Sequence, residues 1–418
     1  MVDFKRFYLD NGLRIIVNED HSTPLVALNI LYNVGSRDED PNQTGLAHLF
    51  EHLMFSGSVN IPDFDSPLQL AGGENNAYTN NDVTVYYLTL PAENIESGFW
   101  LESDRMLGLD FSKKNLEIQK RVVTEEYKQR YLNQPYGDVM HIIRDAAYKS
   151  HPYRWPTIGR EIEHIERVQL DIIKEFFYSH YAPNNAILTI SGNISEKEAI
   201  RLTEKWFGDI SNRVLKVKDI PAEPPQKEER ILTMEKKVPS DLLYKTWHVC
   251  PRDHIDFRIL DLLTDILAGG ESGRLYNSLV RDKKLFSDIN AYITGDIDPG
   301  LLFIYGKLMN DTDINHAEDE IMKMVDSLKN EIIHDEEMEK VKNKFEATTV
   351  LSNSNIMNKA TNLALYELLG DANRINGEVE VYRNVTAGAV SDAANKYLVP
   401  TNCTTLYYKS DKKNPDEI

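Results

Sequence analysis

The amino-acid sequence predicts an α+β protein made of two homologous α/β sandwich domains of similar topology, a duplicated domain joined by a linker. Three observations carry this reading. First, the chain has 418 residues, 41% of them apolar, which exceeds what one hydrophobic core usually supports and is enough to fill two. Second, residues 213–230, RVLKVKDIPAEPPQKEER, hold three prolines and many charges in place of any apolar periodicity, the composition of an exposed linker. Third, the two halves close on related phrases. Val168 pairs with Val385, Pro183 with Pro400 and Asn185 with Asn402 at one constant offset of 217 residues, the mark of an internal repeat. The expected domains are therefore 1–212 and 231–418. Each copy opens on strand-like runs, LRIIVNED and VALNILYNV in the first, ILTMEKK and LLYKTWHV in the second. A helix and further strands and helices follow, with hairpin-like links in place of regular crossovers.

Charge removes whole classes of partner. With 47 basic against 66 acidic residues, a net of -19, the chain repels a phosphate backbone, so nucleic acid is not expected. The same charge gives solubility and is compatible with a preference for cationic substrates. The N-terminal MVDFKRFYLDNGL lacks an uninterrupted apolar core, and no run approaches the roughly 18 apolar residues that span a bilayer. No membrane association is expected. Cys250 and Cys403 lie far apart in the second half, in no metal-binding spacing and without a disulfide framework, which fits a cytoplasmic location.

The chemistry concentrates in residues 44–58, TGLAHLFEHLMFSGS. The stretch is apolar, free of proline, and closes on Gly57, where a helix would take a left-handed cap. On a helix advancing about 100° per residue, His48, Glu51 and His52 share an arc of roughly 100°. Leu46, Leu49, Phe50, Leu53 and Met54 fall on the opposite side and are expected to face the core. Two imidazoles and a carboxylate on an otherwise apolar helix need a partner. Zinc suits them, because imidazoles one turn apart can both reach a single ion at about 2.0–2.1 Å while Glu51 stands beside the metal to handle protons. The order H-x-x-E-H reverses the commoner H-E-x-x-H with the same physical logic. Surface histidines on an ordinary helix are the bland alternative.

A catalytic zinc site takes three protein ligands and keeps a fourth position for water. The helical stretch at residues 113–130, KKNLEIQKRVVTEEYKQR, offers adjacent Glu125 and Glu126. Glu126 shares a stripe with Gln119, Val123 and Arg130, and Glu125 one with Ile118, Val122 and Gln129. Periodicity does not choose between them, and a solvated glutamate is the ordinary fate of either.

His48-Leu-Phe-Glu51-His52 followed far downstream by Glu126 resembles the signature of the inverted-motif zinc peptidases related to pitrilysin and mitochondrial processing peptidase. DNGLRIIV, GGENNAYTNNDVTVYY, RVVTEEY, HPYRWPTIG and YAPNNAILTISG resemble that family in order, as do FRILDLLTDILAGGESGRLYNSLVRD and YLVPTN in the second half. The resemblance implies His48, His52 and Glu126 as ligands of one Zn2+ per chain, Glu51 as catalytic base, and a metal site in domain 1–212 alone. It implies Asn76 and Ala77 as backbone contacts for a substrate added along the GGENNAYTNND edge, although Gly72-Gly73 and Asn75-Asn76 also read as a plain hairpin turn. A glutamate common in relatives is Gln119 here, able to hydrogen-bond near the metal without charge. Relatives also carry an arginine and, seven residues on, a tyrosine that steady the reacting carbonyl. Arg281 matches the first and Asp288 stands at the second.

Resembling proteins assemble four such domains around a chamber, and this chain supplies two. The resemblance therefore implies a homologous subunit, with a heterodimer favoured over a homodimer because of Asp288. The expected function is a zinc metalloendopeptidase cutting peptides or unfolded segments inside a closed chamber. Two other readings stand beside it, a non-catalytic core-type subunit of a larger complex and a non-peptidase metal hydrolase. Gly269, Gly270 and Gly273 read as flexible backbone at a closure or as an ordinary turn between helices.

Overall fold

The computed structural model describes residues 1–216 and 218–411, and the chain divides into two compact α+β units. Unit 1 comprises Met1–Gln129, Trp155–Pro221 and Thr349–Gly377; unit 2 comprises Arg130–Arg154, Ala222–Thr348 and the segment from Glu378.

Unit 1 is built on six strands: β1 (Lys5–Tyr8), β2 (Arg14–Glu19), β3 (Leu25–Tyr32), β4 (Glu74–Thr79), β5 (Thr84–Pro91) and β6 (Ala186–Gly192). Their order is β1-β2-β6-β3-β5-β4, with β2 and β6 parallel and every other neighbour antiparallel. The central strands β3 (LVALNILY) and β6 (AILTISG) are near-continuous apolar runs buried along almost their whole length, as strands covered on both faces must be. The last strand, β4, alternates exposed and half-buried residues and pairs only with β5. Asn75 and Asn76 thus lie inside an edge strand, and the turn of that hairpin comes later, at residues 80–83.

Unit 2 repeats the plan with β7 (Arg230–Lys236), β8 (Leu242–His248), β9 (Phe286–Ile293), β10 (Leu301–Leu308) and β11 (Cys403–Ser410) in the order β7-β11-β8-β10-β9. The parallel pair β2/β6 recurs as β7/β11. Helix Leu170–His180 with β6 recurs as helix Ala387–Tyr397 with β11 at the same 217-residue offset read from the sequence.

The chain passes from unit 1 to unit 2 between Pro221 and Ala222, inside the segment read as a linker. The units nevertheless differ from the simple halves 1–212 and 231–418, because each half lends a helical segment to the other unit. Helix Val139–Ala147, from the first half, buries Val139, Ile143 and Ala147 against Leu242, Phe303, Leu406 and Tyr408 of unit 2. Helix Ile356–Leu368, from the second half, buries Leu363 and Ala364 against Ile16, Leu31, Val85 and Ile187 of unit 1. These two helices start 217 residues apart, so the exchange is itself duplicated. Periodicity reveals that a helix has an apolar stripe but not which sheet the stripe covers.

This exchange makes a spatially specific prediction. Ile143→Ala removes a fully buried side chain and is expected to cost about 2–5 kcal/mol. Hydrogen exchange should lose protection in β8, β10 and β11 and keep it in β2 and β3; loss spread over the first half would contradict the assignment of this helix to unit 2.

Candidate metal centre

The motif helix runs Leu46–Leu53 and starts from Gly45 at φ 87°. Glycine is required there, because a Cβ would lie 2.7 Å from the Ile158 carbonyl oxygen, and glycine brings no capping side chain. Glu39 supplies the cap from six residues upstream. Its carboxylate accepts the Gly45 N–H at 2.9 Å and the Ala47 N–H at 2.8 Å, and the Trp155 indole N–H donates to it at 3.2 Å. In its ionised form it also complements the helix dipole. Burial pushes the Glu39 carboxyl up to about 8, against the pull of these three donors. Sequence reading missed Glu39 because it lies outside the four-residue window of a capping box.

Leu46, Leu49, Phe50, Leu53 and Met54 are all buried, as the helical arc predicts, and Phe50 packs on Phe176 and Tyr181 with ring centroids 5.1 Å away in both cases. The helix ends at Leu53 with Met54 as its cap residue. Gly57 does take a left-handed φ of 110°, but in the loop beyond the helix and not at its cap.

The opposite side carries His48, Glu51 and His52. His48 Nε2 lies 3.6 Å and His52 Nε2 3.4 Å from Glu126 Oε2, and donor atoms of the three residues fall within 4.8 Å of one another. A tetrahedral ion with bonds of about 2.0–2.1 Å separates its donors by roughly 3.3 Å, so the set fits zinc. The side chains are 13%, 25% and 18% exposed for His48, His52 and Glu126, open enough for a fourth position. Among the described residues this is the single group of three or more His, Cys, Asp or Glu side chains arranged to hold a metal. Glu125 instead turns outward to pair with Lys128 at 2.7 Å, so geometry separates the two glutamates where periodicity did not.

The helix bearing Glu126, Lys113–Tyr127, is fixed by both ends. Ser112 caps it by accepting the Asn115 N–H, and Tyr127 donates to the Arg160 carbonyl. Between them Asn115 donates to the Ser56 carbonyl at 2.8 Å and Gln119 Nε2 donates to Ser56 Oγ at 2.9 Å. Gln119 thereby ties the glutamate helix to the loop that leaves the motif helix.

Burial pushes the Glu51 carboxyl above its ordinary value, opposed by hydrogen bonds from Thr79, the last residue of β4. The edge strand therefore ends beside the candidate base. Asn76 is exposed and Ala77 half-buried on that strand, and the Ala77 N–H donates to Asn76 Oδ1 at 2.8 Å. Arg281 belongs to unit 2, on the π-helix Tyr276–Asp282, where it pairs with its neighbour Asp282 at 3.0 Å. Asp288 lies on β9 opposite Lys307 of β10. Other histidines have packing roles: His164 Nδ1 meets the Thr44 hydroxyl, and buried His180 donates through Nδ1 to the Phe176 carbonyl. Cys250 and Cys403 are free and buried, and no helix of the described residues is long and apolar enough to cross a membrane.

Residues 14–161 match the family described as Insulinase (Peptidase family M16), and residues 167–345 match the description Peptidase M16 inactive domain. The zinc protease PqqE of Helicobacter pylori is 30% identical over 413 residues, covering 96% of this chain and 91% of that protein. The crystal structure of a protease from Helicobacter pylori superposes with a TM-score of 0.92 at 27% identity, over 98% of this chain and 100% of the other. Pitrilysin shares the fold with a TM-score of 0.77 at 19% identity, over 98% of this chain and 45% of that longer one.

The cap gives the first test of the site. Glu39→Ala leaves the Gly45 and Ala47 N–H groups without their buried acceptor, while the Trp155 indole keeps the Ser36 carbonyl at 3.1 Å, and is expected to cost about 1–3 kcal/mol. Denaturant unfolding of the zinc-free protein measures this, and an unchanged midpoint would show that the carboxylate does not hold the helix.

Proposed function

This chain belongs to peptidase family M16, and from that premise we propose that it is a zinc metalloendopeptidase acting on peptides or unfolded segments. The observation that carries the reading is the convergence of His48, His52 and Glu126 donor atoms within 4.8 Å, with Glu51 on the same stripe of the motif helix.

Zinc held by the two imidazoles and the Glu126 carboxylate would supply Lewis acidity and bring the pKa of a bound water to about 7. Glu51 takes the proton of the attacking water and passes it to the leaving amine, a role that suits a half-buried carboxyl raised above its ordinary value. Thr79 holds that carboxyl in place from the end of β4. The free edge of β4 offers main-chain partners to a substrate strand, and the Ala77 N–H, now held by Asn76 Oδ1, is the donor such a strand would take over. Main-chain pairing tolerates many sequences, so the accessible space and charge around the site set the choice of peptide. Gln119 orients the glutamate helix through Ser56 without adding charge.

The chain corresponds in extent to less than half of pitrilysin, which supports a homologous subunit as partner. Asp288 at the position of the relatives' tyrosine favours a heterodimer whose other subunit carries the carbonyl-steadying pair. A core-type subunit without catalysis is the competing reading, and the complete ligand set speaks against it; the match to an inactive domain concerns the half that lacks the metal residues.

The decisive experiment measures bound zinc and cleavage of internally quenched peptides, alone and with candidate partner subunits. Glu51→Gln is expected to keep one zinc per chain and lose about 10²–10⁴-fold in kcat, whereas His48→Ala loses the zinc itself. Full activity in zinc-loaded Glu51→Gln would eliminate the assigned base, and undiminished zinc in His48→Ala would eliminate the centre.

A further inference from the structure

Unit 2 contains an open cleft of about 590 Å³ whose lining includes Glu271, Val280, Arg281, Lys284, Phe286 and Met309. It forms where the π-helix Tyr276–Asp282 turns into β9 and where β10 ends. Three features mark the place as more than an accidental dent. Lys284 takes a φ of 53°, a left-handed conformation unfavourable for a residue other than glycine, and strain of this kind persists where the surroundings over-determine it. The β9/β10 ladder shifts register between Lys307 and Leu308, an irregularity that re-aims side chains next to sites. Met309, just beyond the shift, leaves an apolar side chain 46% exposed and lines the cleft.

The chemistry of the lining is two-sided. Val280, Phe286 and Met309 make an apolar wall, while Arg281 and Lys284 place two cations on the same cleft against one carboxylate, Glu271, in a chain of net charge -19. Arg281 is 63% exposed and its pair with Asp282 is a surface pair between sequence neighbours, which competes weakly for the guanidinium. An apolar side chain directly joined to a carboxylate satisfies both halves at once, and a guanidinium offers a carboxylate two parallel donors. A peptide's last residue has that chemistry. The rest of such a peptide also has a place to go, since β9 is the edge strand of its sheet, pairs only with β10, and begins at Phe286 in the cleft.

We propose that this cleft anchors the C-terminal residue of a peptide, its apolar side chain against Val280, Phe286 and Met309 and its α-carboxylate on Arg281 and Lys284, with the preceding backbone added along β9. The site concerns binding only and uses none of His48, Glu51, His52 or Glu126; it gives Arg281 a carboxylate in place of the reacting carbonyl that the family resemblance implies, so its failure leaves the peptidase reading standing.

Fluorescence anisotropy on the full-length Glu51→Gln protein tests it, with an N-terminally labelled seven-residue peptide ending in leucine, as the free acid and as the C-terminal amide. The free acid is expected to bind at least about ten-fold more tightly, one charge-assisted contact being worth that factor. Arg281→Gln and Lys284→Gln should each weaken the free acid several-fold and leave the amide unchanged, whereas Met309→Asp should weaken both forms. Thermal midpoints matching the parent protein confirm that these exposed substitutions leave the fold intact. Equal affinity for acid and amide overturns the proposal. An acid preference that survives Arg281→Gln and Lys284→Gln also overturns it, by assigning the carboxylate to the zinc or another cation. Displacement of the peptide by laurate at lower concentration than by unlabelled peptide would overturn it in favour of a fatty-acid site.

Discussion

Everything about the first unit follows from the cost of placing two imidazoles and two carboxylates at the edge of an apolar core. Polar groups taken from water must find partners, and the donor atoms of His48, His52 and Glu126 lie within 4.8 Å of one another, a spacing that a shared cation would fit. The apolar side of the motif helix fixes that geometry from below, through Phe50 on Phe176 and Tyr181. Glu39 fixes it from the N-terminal end, and Ser56 ties it to the glutamate helix. Three independent restraints on an eight-residue helix are what a site held to within a fraction of an ångström requires.

Much of this was legible in the residues. The arc of His48, Glu51 and His52 opposite Leu46, Leu49, Phe50, Leu53 and Met54 is a consequence of helical period alone, and each of those apolar side chains is buried. The repeat at offset 217 carries the centre of the topology, since β2, β3, β5 and β6 recur at that spacing as β7, β8, β10 and β11, while the edge strands β1, β4 and β9 depart from it. Three things were not legible. Glu39 caps a helix whose start its own spacing does not announce. Glu125 and Glu126 sit on adjacent stripes of one helix, and only the position of the motif helix decides between them. The exchange of helices Val139–Ala147 and Ile356–Leu368 depends on which of two similar sheets lies within reach, a tertiary fact that no local pattern records.

Among the described residues the candidate metal centre lies in one unit alone, and the repeat shows what stands in its place in the other. At the repeat offset, His48, Glu51 and His52 fall on Asp265, Ala268 and Gly269 at the end of helix Ile255–Ala268. Asp265 pairs with Lys344 instead of facing a ligand set, and the glycine that follows ends the helix where the second histidine would stand. Unit 2 keeps an apolar helix face, with Leu260, Leu263, Ile266 and Leu267 buried, without a histidine and glutamate set on the other face.

The two edge strands show the same divergence. An unpaired edge exposes main-chain donors and acceptors that natural sheets must protect. On β4 the Asn76 side chain occupies the Ala77 N–H, a contact that an incoming strand can replace with one main-chain bond for one side-chain bond, at little net cost. On β9 protection comes from side chains that alternate with exposed Ser287, Asn290 and Tyr292 and from the register shift at its Phe286 end. One edge therefore leads to Glu51 and the metal ligands, and the other to a cleft with an apolar wall and two cations. Two copies of one plan thus end their sheets on edge strands with different surroundings.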